Sequence, residues 1–558
     1  MISKPKRRTS TLLLALLYIV SIAGAAFGAW TLANRMKAAT GEVSFQRMTF
    51  RRGEVRGARF TPDGDSIVYS ASWDGKPAEI FIASRQSPEP RTLGIADAEI
   101  LAVSKSTELA ILLRRDRFTQ LGTLARVPFA GGVPREVASD VLNADWSRDG
   151  ANLAVIRVVG GKHRVEFPIG SVLYDTTHSL RDVRVSPDGT KVAFVEQISG
   201  ENFIEVIEKS GPSPIARGWA RGATGIAWSP DGKEIWITGT ATSAPPALYA
   251  VTLDGESRMI SRLTGSMKLF DISSAGRALL TNGVWRAALM WQPPGAIVER
   301  DSSWLDWSSL ADLSSDGRTI LFNEPREGGG AKGGMYLRRL DDPAPVRIGE
   351  GLGDAISPDG KWVLGHAGSK LTILPTGAGE ARELKIEGSF DQGAVWLSDS
   401  RRVVVGHASG QLTLVDTLDE KTTPLSPNGI WTAGIRAFAA SPDEKSVAGM
   451  NAGETIVLYP LDGTLTATPV NGVEKGEIPI QFSPDGLALY VYRPTALPAQ
   501  VQRVDLATGT RTLWKEFSPA DPAGVYKISP VLITRDGSAY AYDALRTLSD
   551  LYVAEGLK

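Results

Sequence analysis

The sequence predicts an all-β fold of tandem β-propellers behind one N-terminal transmembrane helix. Three observations carry the propellers: a recurring Ser-Pro-Asp-Gly turn, a near-constant spacing between its copies, and a β-rich run after each copy. Full copies stand at Ser186-Pro187-Asp188-Gly189, Ser229-Pro230-Asp231-Gly232, Ser357-Pro358-Asp359-Gly360 and Ser483-Pro484-Asp485-Gly486. Near copies are Thr61-Pro62-Asp63-Gly64 and Ser441-Pro442-Asp443-Glu444. Proline presets φ for the second residue of a turn, aspartate accepts from nearby backbone N–H groups, and glycine tolerates φ > 0 where the chain reverses. Such a turn suits a tight connection between antiparallel strands. The runs that follow, residues 191–196 (KVAFVE), 234–239 (EIWITG) and 487–492 (LALYVY), have the β-branched and aromatic content of strands.

Degenerate copies at residues 104–107, 147–150, 273–276, 314–317, 397–400 and 534–537 bring the total to twelve, with steps of 39 to 44 residues and a last step of 51. Spacing of that size marks a repeat architecture. One period holds four expected strands, at residues 181–185, 191–196, 203–208 and 213–217, which is one propeller blade. Twelve blades exceed the roughly four to eight of a single ring. The expectation is therefore two six-bladed propellers, residues 45–300 and 301–558, meeting in the irregular, tryptophan-rich stretch 283–307. Residues 45–51 (FQRMTFR) read as a fourth strand without its first three, and residues 550–555 (DLYVAE) as a third strand without a fourth. The two halves complement each other, so strands from both termini are expected to close a ring and remove an exposed edge.

A chain of 558 residues with 42% apolar content can bury more than one core. Its 61 basic and 62 acidic residues give a net charge of −1, which supplies no whole-molecule field for nucleic acid. The absence of cysteine excludes disulfides, thiolate metal sites and a cysteine nucleophile. Lys4, Lys6, Arg7 and Arg8 precede an uncharged, apolar run at 11–33 that is long enough to cross a bilayer as a helix. Positive charge stays inside, so residues 1–10 are expected in the cytoplasm, 34–44 as a linker, and the propellers on the extracytoplasmic or periplasmic side of the inner membrane. The rival reading is a secretory signal with an apolar region at 12–22 and cleavage near Ala25. Apolar residues continuing through Phe27, Trp30 and Leu32 favour the anchor.

The search for chemistry returns few signals. The chain has no Gly-x-Ser-x-Gly elbow, no phosphate-binding glycine loop ending in Lys-Ser/Thr and no His-Glu-x-x-His pair. Each turn offers about one carboxylate where a calcium loop needs several oxygen ligands, so the turns read as structural. Ser106 and Ala275 stand at the aspartate position of two copies, in keeping with that reading. None of the four histidines, 163, 178, 366 and 407, has a neighbour at metal-ligand spacing. His366 (VLGHAGS) and His407 (VVGHASG) occupy matching places in consecutive repeats, which repeat equivalence explains. Trp73 and Asp74, in a segment between the second and third strands of the first blade, and His163, in an expected loop after Gly160-Gly161, are candidates for a binding rim. No catalytic, cofactor or metal residue is assigned, and no cofactor is expected.

The Ser/Thr-Pro-Asp-Gly turn, with its β-run and a following strand such as Leu248-Tyr249-Ala250-Val251, resembles the WD-repeat-like propellers of TolB-type periplasmic proteins and of prolyl oligopeptidase-like enzymes. This resemblance implies fold, not function. A narrower one rests on residues 45–53 (FQRMTFRRG), 59–64 (RFTPDG), 67–75 (IVYSASWDG) and 547–558 (TLSDLYVAEGLK), together with the basic flank and apolar segment. These look like the extracytoplasmic half of bacterial transmembrane serine/threonine kinases. No His-Arg-Asp or Asp-Phe-Gly segment is present, so the resemblance implies the sensor half without the kinase. The expected function is a membrane-anchored, non-catalytic propeller that binds a protein, peptide or envelope ligand as a sensor or scaffold, with a membrane signalling protein such as a kinase as an expected partner. The alternatives are a propeller hydrolase with a channel-mouth site and a TolB-like envelope assembly factor.

Overall fold

The computed structural model describes residues 43–557, apart from 85–86, 107, 117–118, 209–210, 242–246, 263–264, 306, 387 and 429–435. The expected membrane segment at 11–33 and the rival cleavage position near Ala25 lie outside the described residues. Among the described residues no helix is long and apolar enough to cross a membrane. Apart from one 3-10 turn, Glu327–Gly329, the regular structure described is β-strand.

The recurring turn owes its composition to its own hydrogen bonds. Ser357 Oγ donates to Asp359 Oδ1 (2.6 Å) and accepts the N–H of Trp362 (3.0 Å). Asp359 Oδ1 also accepts the Lys361 N–H (3.1 Å), and Gly360, at φ +72°, donates to the Ser357 carbonyl (2.8 Å). The same hydroxyl–carboxylate bond stands at Thr61/Asp63, Ser229/Asp231, Ser314/Asp316 and Ser441/Asp443. These donors hold the Asp231 carboxyl below the ordinary range, the Ser229 hydroxyl first and the Lys233 N–H second. In the copy with Ser106 in place of aspartate, the Ser104 and Ser106 hydroxyls bond each other instead (3.0 Å). The turn carboxylates are thus local caps for the strand that follows.

Antiparallel four-stranded sheets are the repeating unit, as in a multi-blade β-propeller. The expected separation of four strands per repeat fails at two places. Arg135–Trp146 and Gly211–Trp228 each run on from the outer strand of one sheet to the inner strand of the next, so pairs of sheets merge into seven-stranded ones. The inner strands Gly53–Phe60, Ala98–Val103, Arg135–Trp146, Ser179–Val185, Gly211–Trp228 and Ser266–Ile272 pack in that order, and the last returns against the first. A second closed circuit is made by Ser309–Leu313, Leu352–Ile356, Phe390–Trp396, Phe438–Ala440, Ile478–Phe482 and Val525–Ile533. Apolar cores fill the gaps between neighbouring sheets, as with Val55, Phe60 and Tyr69 against Phe270, Leu279, Leu551 and Val553.

The two circuits share one ribbon. Ala278–Gln292 pairs with Tyr540–Glu555 without a break, from Ala278↔Ala554 to Gln292↔Tyr540. At the first-circuit end the ribbon is flanked by Ser266–Ile272 and by Ser44–Arg47, whose Phe45 faces Ala554. At the other end it is flanked by Val525–Ile533 and by Arg300–Asp301. Strands from both termini therefore close the first circuit. Arg300–Asp301, at the expected boundary, pairs with Met290 and Trp291 of the ribbon. Residues 283–292, expected to be irregular, are strand, with Trp291 fully buried.

Candidate functional site

Cavities lie along the inner strands, and β-bulges decide which side chains reach them. Register shifts interrupt the inner strands at Val55/Gly57, Ile100/Ala102, Arg181/Arg184 and Leu269/Asp271. A bulge inserts an extra residue and re-aims its neighbours. Here it brings consecutive residues, Arg56 and Gly57, Glu99 and Ile100, Arg181 and Asp182, Lys268 and Leu269, to one cavity of about 480 Å³ in the first circuit. A second cavity of about 430 Å³ shares Arg56, Glu99, Arg115, Gln120, Lys268 and Phe270 with it. The second cavity also takes Trp285, Tyr526 and Thr547, so the pair reaches the place where the circuits meet.

Two residues before each turn hydroxyl, the first circuit carries Arg59, Ala102, Asp145, Arg184, Ala227 and Asp271 in chain order. Arg59 Nη1 and Arg184 Nη2 both donate to the Phe270 carbonyl, at 2.9 and 2.8 Å. Burial and the like charge of Arg184 lower the Arg59 pKa to about 10. The aspartates link neighbouring sheets: Asp145 Oδ2 accepts the Val185 N–H (2.9 Å), and Asp271 Oδ2 accepts the Phe60 N–H (2.9 Å), which closes the circuit. In the second circuit Asp312 Oδ2 accepts the Ile356 N–H in the same way (2.8 Å). Burial raises both Asp145 and Asp271 above the ordinary carboxyl value despite the nearby guanidiniums. Glu99 differs. Burial works against its charge, but ion pairs to Arg115 (2.7 Å) and Arg56 (3.0 Å) overcome that and hold it below the ordinary value.

The rim candidates do not converge. His163 lines the 480 Å³ cavity, yet it lies on the strand Lys162–Glu166, not in a loop, and its Nδ1 accepts the Leu180 N–H (2.7 Å). Trp73 ends the strand Ser66–Trp73 and is 4% exposed, against Phe81 and beneath the Arg51 guanidinium. Asp74 pairs with Arg51 (2.8 Å) at φ +54°. The structure brings neither Trp73 nor Asp74 into the cavity lining. Their loop instead abuts the second circuit, since a Cβ on Gly75 would stand 2.6 Å from Pro522.

In the second circuit, a cavity of about 290 Å³ is lined by Asp354, His366, Asp391, Arg436, Lys527 and Asp543 among others. His366 Nδ1 bonds Asp354 Oδ2 (2.8 Å), with both residues buried. Burial opposes the charged imidazole, but the bond and charge of Asp354 prevail and lift His366 above the ordinary histidine value. His407 holds the matching strand position, with Nε2 3.0 Å from Thr413 Oγ1 and its ring on Phe390. No cluster of three or more metal-ligating side chains occurs among the described residues. The raised His366 value has a signed consequence: its contribution to stability is complete below the ordinary histidine pKa and lost as pH rises through the raised value. His366→Gln is expected to flatten that part of a Tm-against-pH profile; an unchanged slope would refute the contribution.

Sequence reading missed the cavity charges. A signal was present for Arg59 and Arg184, two of the four charged residues at one fixed offset from the turn in the first six repeats.

No family model matches the chain, and no curated protein matches it. Among solved structures it is similar to the crystal structure of the tricorn protease, with a TM-score of 0.34 and 13% identity over 90% of this chain and 59% of that one. The chain thus spans about three fifths of that protein's length. A likeness at this level carries no argument about activity.

Proposed function

We propose that the chain is a membrane-anchored, extracytoplasmic double β-propeller that binds a protein, peptide or envelope ligand as a sensor or scaffold, without catalysis of its own. The single observation that carries the reading is the joined cavity of the first circuit, lined by inner-strand charges and by Trp285 and Tyr526 at the junction. A concave site held by stiff strands and bordered by two units suits ligand recognition. In this reading each closed circuit is a six-bladed ring. The first ring comprises residues 44–283 and 549–557, and the second, 284–548, is inserted into its closing blade. The apolar segment 11–33 anchors the rings, and a kinase or other envelope protein is the proposed partner.

The test is a crosslinking pull-down from membranes with the intact chain and with an exported form lacking the anchor. An envelope protein recovered with the intact chain, and lost when Trp285→Asp and Arg56→Glu are introduced, is the expected result. Recovery that is indifferent to those substitutions, or no recovery from either form, would overturn the reading.

A hydrolase is the second reading, favoured by one observation: the Asp354–His366 pair orients an imidazole at a cavity. Turnover of a chromogenic acetate ester that disappears in His366→Gln would favour it.

A further inference from the structure

The joined cavity has an imbalance between its donors and its acceptors. Every carboxylate that lines its walls accepts from the chain itself: Glu54 takes Arg56, Glu99 takes Arg56 and Arg115, and Asp182 takes the Gly225 N–H. The cations outnumber them, with Arg56, Arg59, Arg115, Arg181, Arg184 and Lys268 on the walls against those three carboxylates. Lys268 lines both halves of the cavity within the fields of Asp182 and Glu99, yet its Nζ donates no hydrogen bond among the described residues and rests 5.1 Å over the Phe270 ring. Arg59 uses Nη1 on the Ala58 and Phe270 carbonyls, and Arg181 uses Nη2 on Asn202, leaving Arg59 Nη2 and Arg181 Nη1 without a described partner. All three side chains line the same 480 Å³ space.

We infer that this cavity takes an oxyanion group, a carboxylate or phosphate, with Lys268 as its main counter-charge and Arg59 and Arg181 as flanking donors. An incoming oxyanion supplies the acceptors that the walls lack, and charge-assisted hydrogen bonds of this kind are shorter and stronger than neutral ones. It also relieves a cost, since burial weakens the charged form of Lys268 and lowers its pKa. A neutral or cationic ligand would leave those donors unmet and face Arg59 and Arg184 directly. The half lined by Trp285 and Tyr526 extends the cavity toward the second circuit, where a longer ligand could continue.

The inference rests on the ligand-binding reading of this cavity, but the two fail separately. A lost partner in the pull-down leaves oxyanion binding standing, and absent oxyanion binding leaves a captured partner standing. The test is calorimetric titration of the full chain in detergent with three probes: acetylated tetra-alanine ending in a free carboxylate, the same peptide ending in an amide, and inorganic phosphate. The free acid is expected to bind at least tenfold more tightly than the amide. Lys268→Met should weaken it by a further factor of about ten relative to the unaltered chain, and Lys268→Arg should restore most of it. Phosphate binding that depends equally on Lys268 supports the inference with phosphate as the source. Equal affinity for acid and amide with no phosphate binding would overturn it, as would oxyanion binding that Lys268→Met leaves intact. Circular dichroism and Tm of Lys268→Met establish that the ring is folded. Should it not fold, Arg181→Gln with the same three probes decides, with a severalfold loss for the free acid expected and no change refuting.

Discussion

Removing residues 549–557 is expected to unfold the first circuit while the second keeps its own cooperative transition. That segment supplies the third strand of the closing sheet and pairs on one side with residues 278–283 and on the other with Ser44–Arg47. It buries Leu551, Val553 and Ala554 in the cores that join the last sheet to its neighbours. Without it, two strands lose their ladders and the outer terminal strand has nothing to pair with, so the circuit is left with open edges. Even Leu551→Ala alone is expected to cost about 2–5 kcal/mol, because the residue is fully buried and its neighbours are held by sheet pairing. Differential scanning calorimetry with limited proteolysis reads the outcome. A truncated chain that melts in one transition at the original temperature would refute the shared-ribbon account.

The second large effect is expected at Asp271. Its carboxylate joins the last inner strand to the first through the Phe60 N–H and also lies within the field of Arg59 and Arg184. Asp271→Ala therefore removes the link that closes the circuit and leaves two buried guanidiniums with one fewer counter-charge. Uncompensated buried charge of this kind costs about 3–5 kcal/mol. Adding Arg59→Met to Asp271→Ala is expected to recover part of the loss, since apolar replacement of both partners removes the unpaired charge. Urea denaturation of the two single variants and the double variant measures the coupling. Additive losses would show that Arg59 and Asp271 act independently.

Much of the fold was legible because it is local. The Ser/Thr-Pro-Asp-Gly turn closes its hydrogen bonds within five residues, so its sequence carries its geometry, as at Ser357 to Trp362. The strands after each turn follow from β-branched content, and the repeat period follows from counting turns. The complementary terminal strands were also readable, because a fragment of a repeat is visible against complete copies. The placement of Trp73 and Asp74 was not legible, for the opposite reason. An aromatic and a charge beside a turn look alike at a rim and at a packed strand end, and only the position of Phe81 and Arg51 separates the two.

By itself, then, the sequence determined the all-β class, the turn chemistry and the repeated unit, since those depend on contacts between residues near one another in the chain. It also contained the offset that places Arg59, Asp145, Arg184 and Asp271 on four of the six inner strands of the first circuit. Only the tertiary structure decided that Arg59 and Arg184 meet around one cavity, that Lys268 and Arg181 reach it beside bulges, and that the two circuits share one ribbon. The physical reason is the same in each case. Ring closure pairs strands far apart in the chain, and a strand's pattern states which faces are apolar without stating which distant strand will cover them.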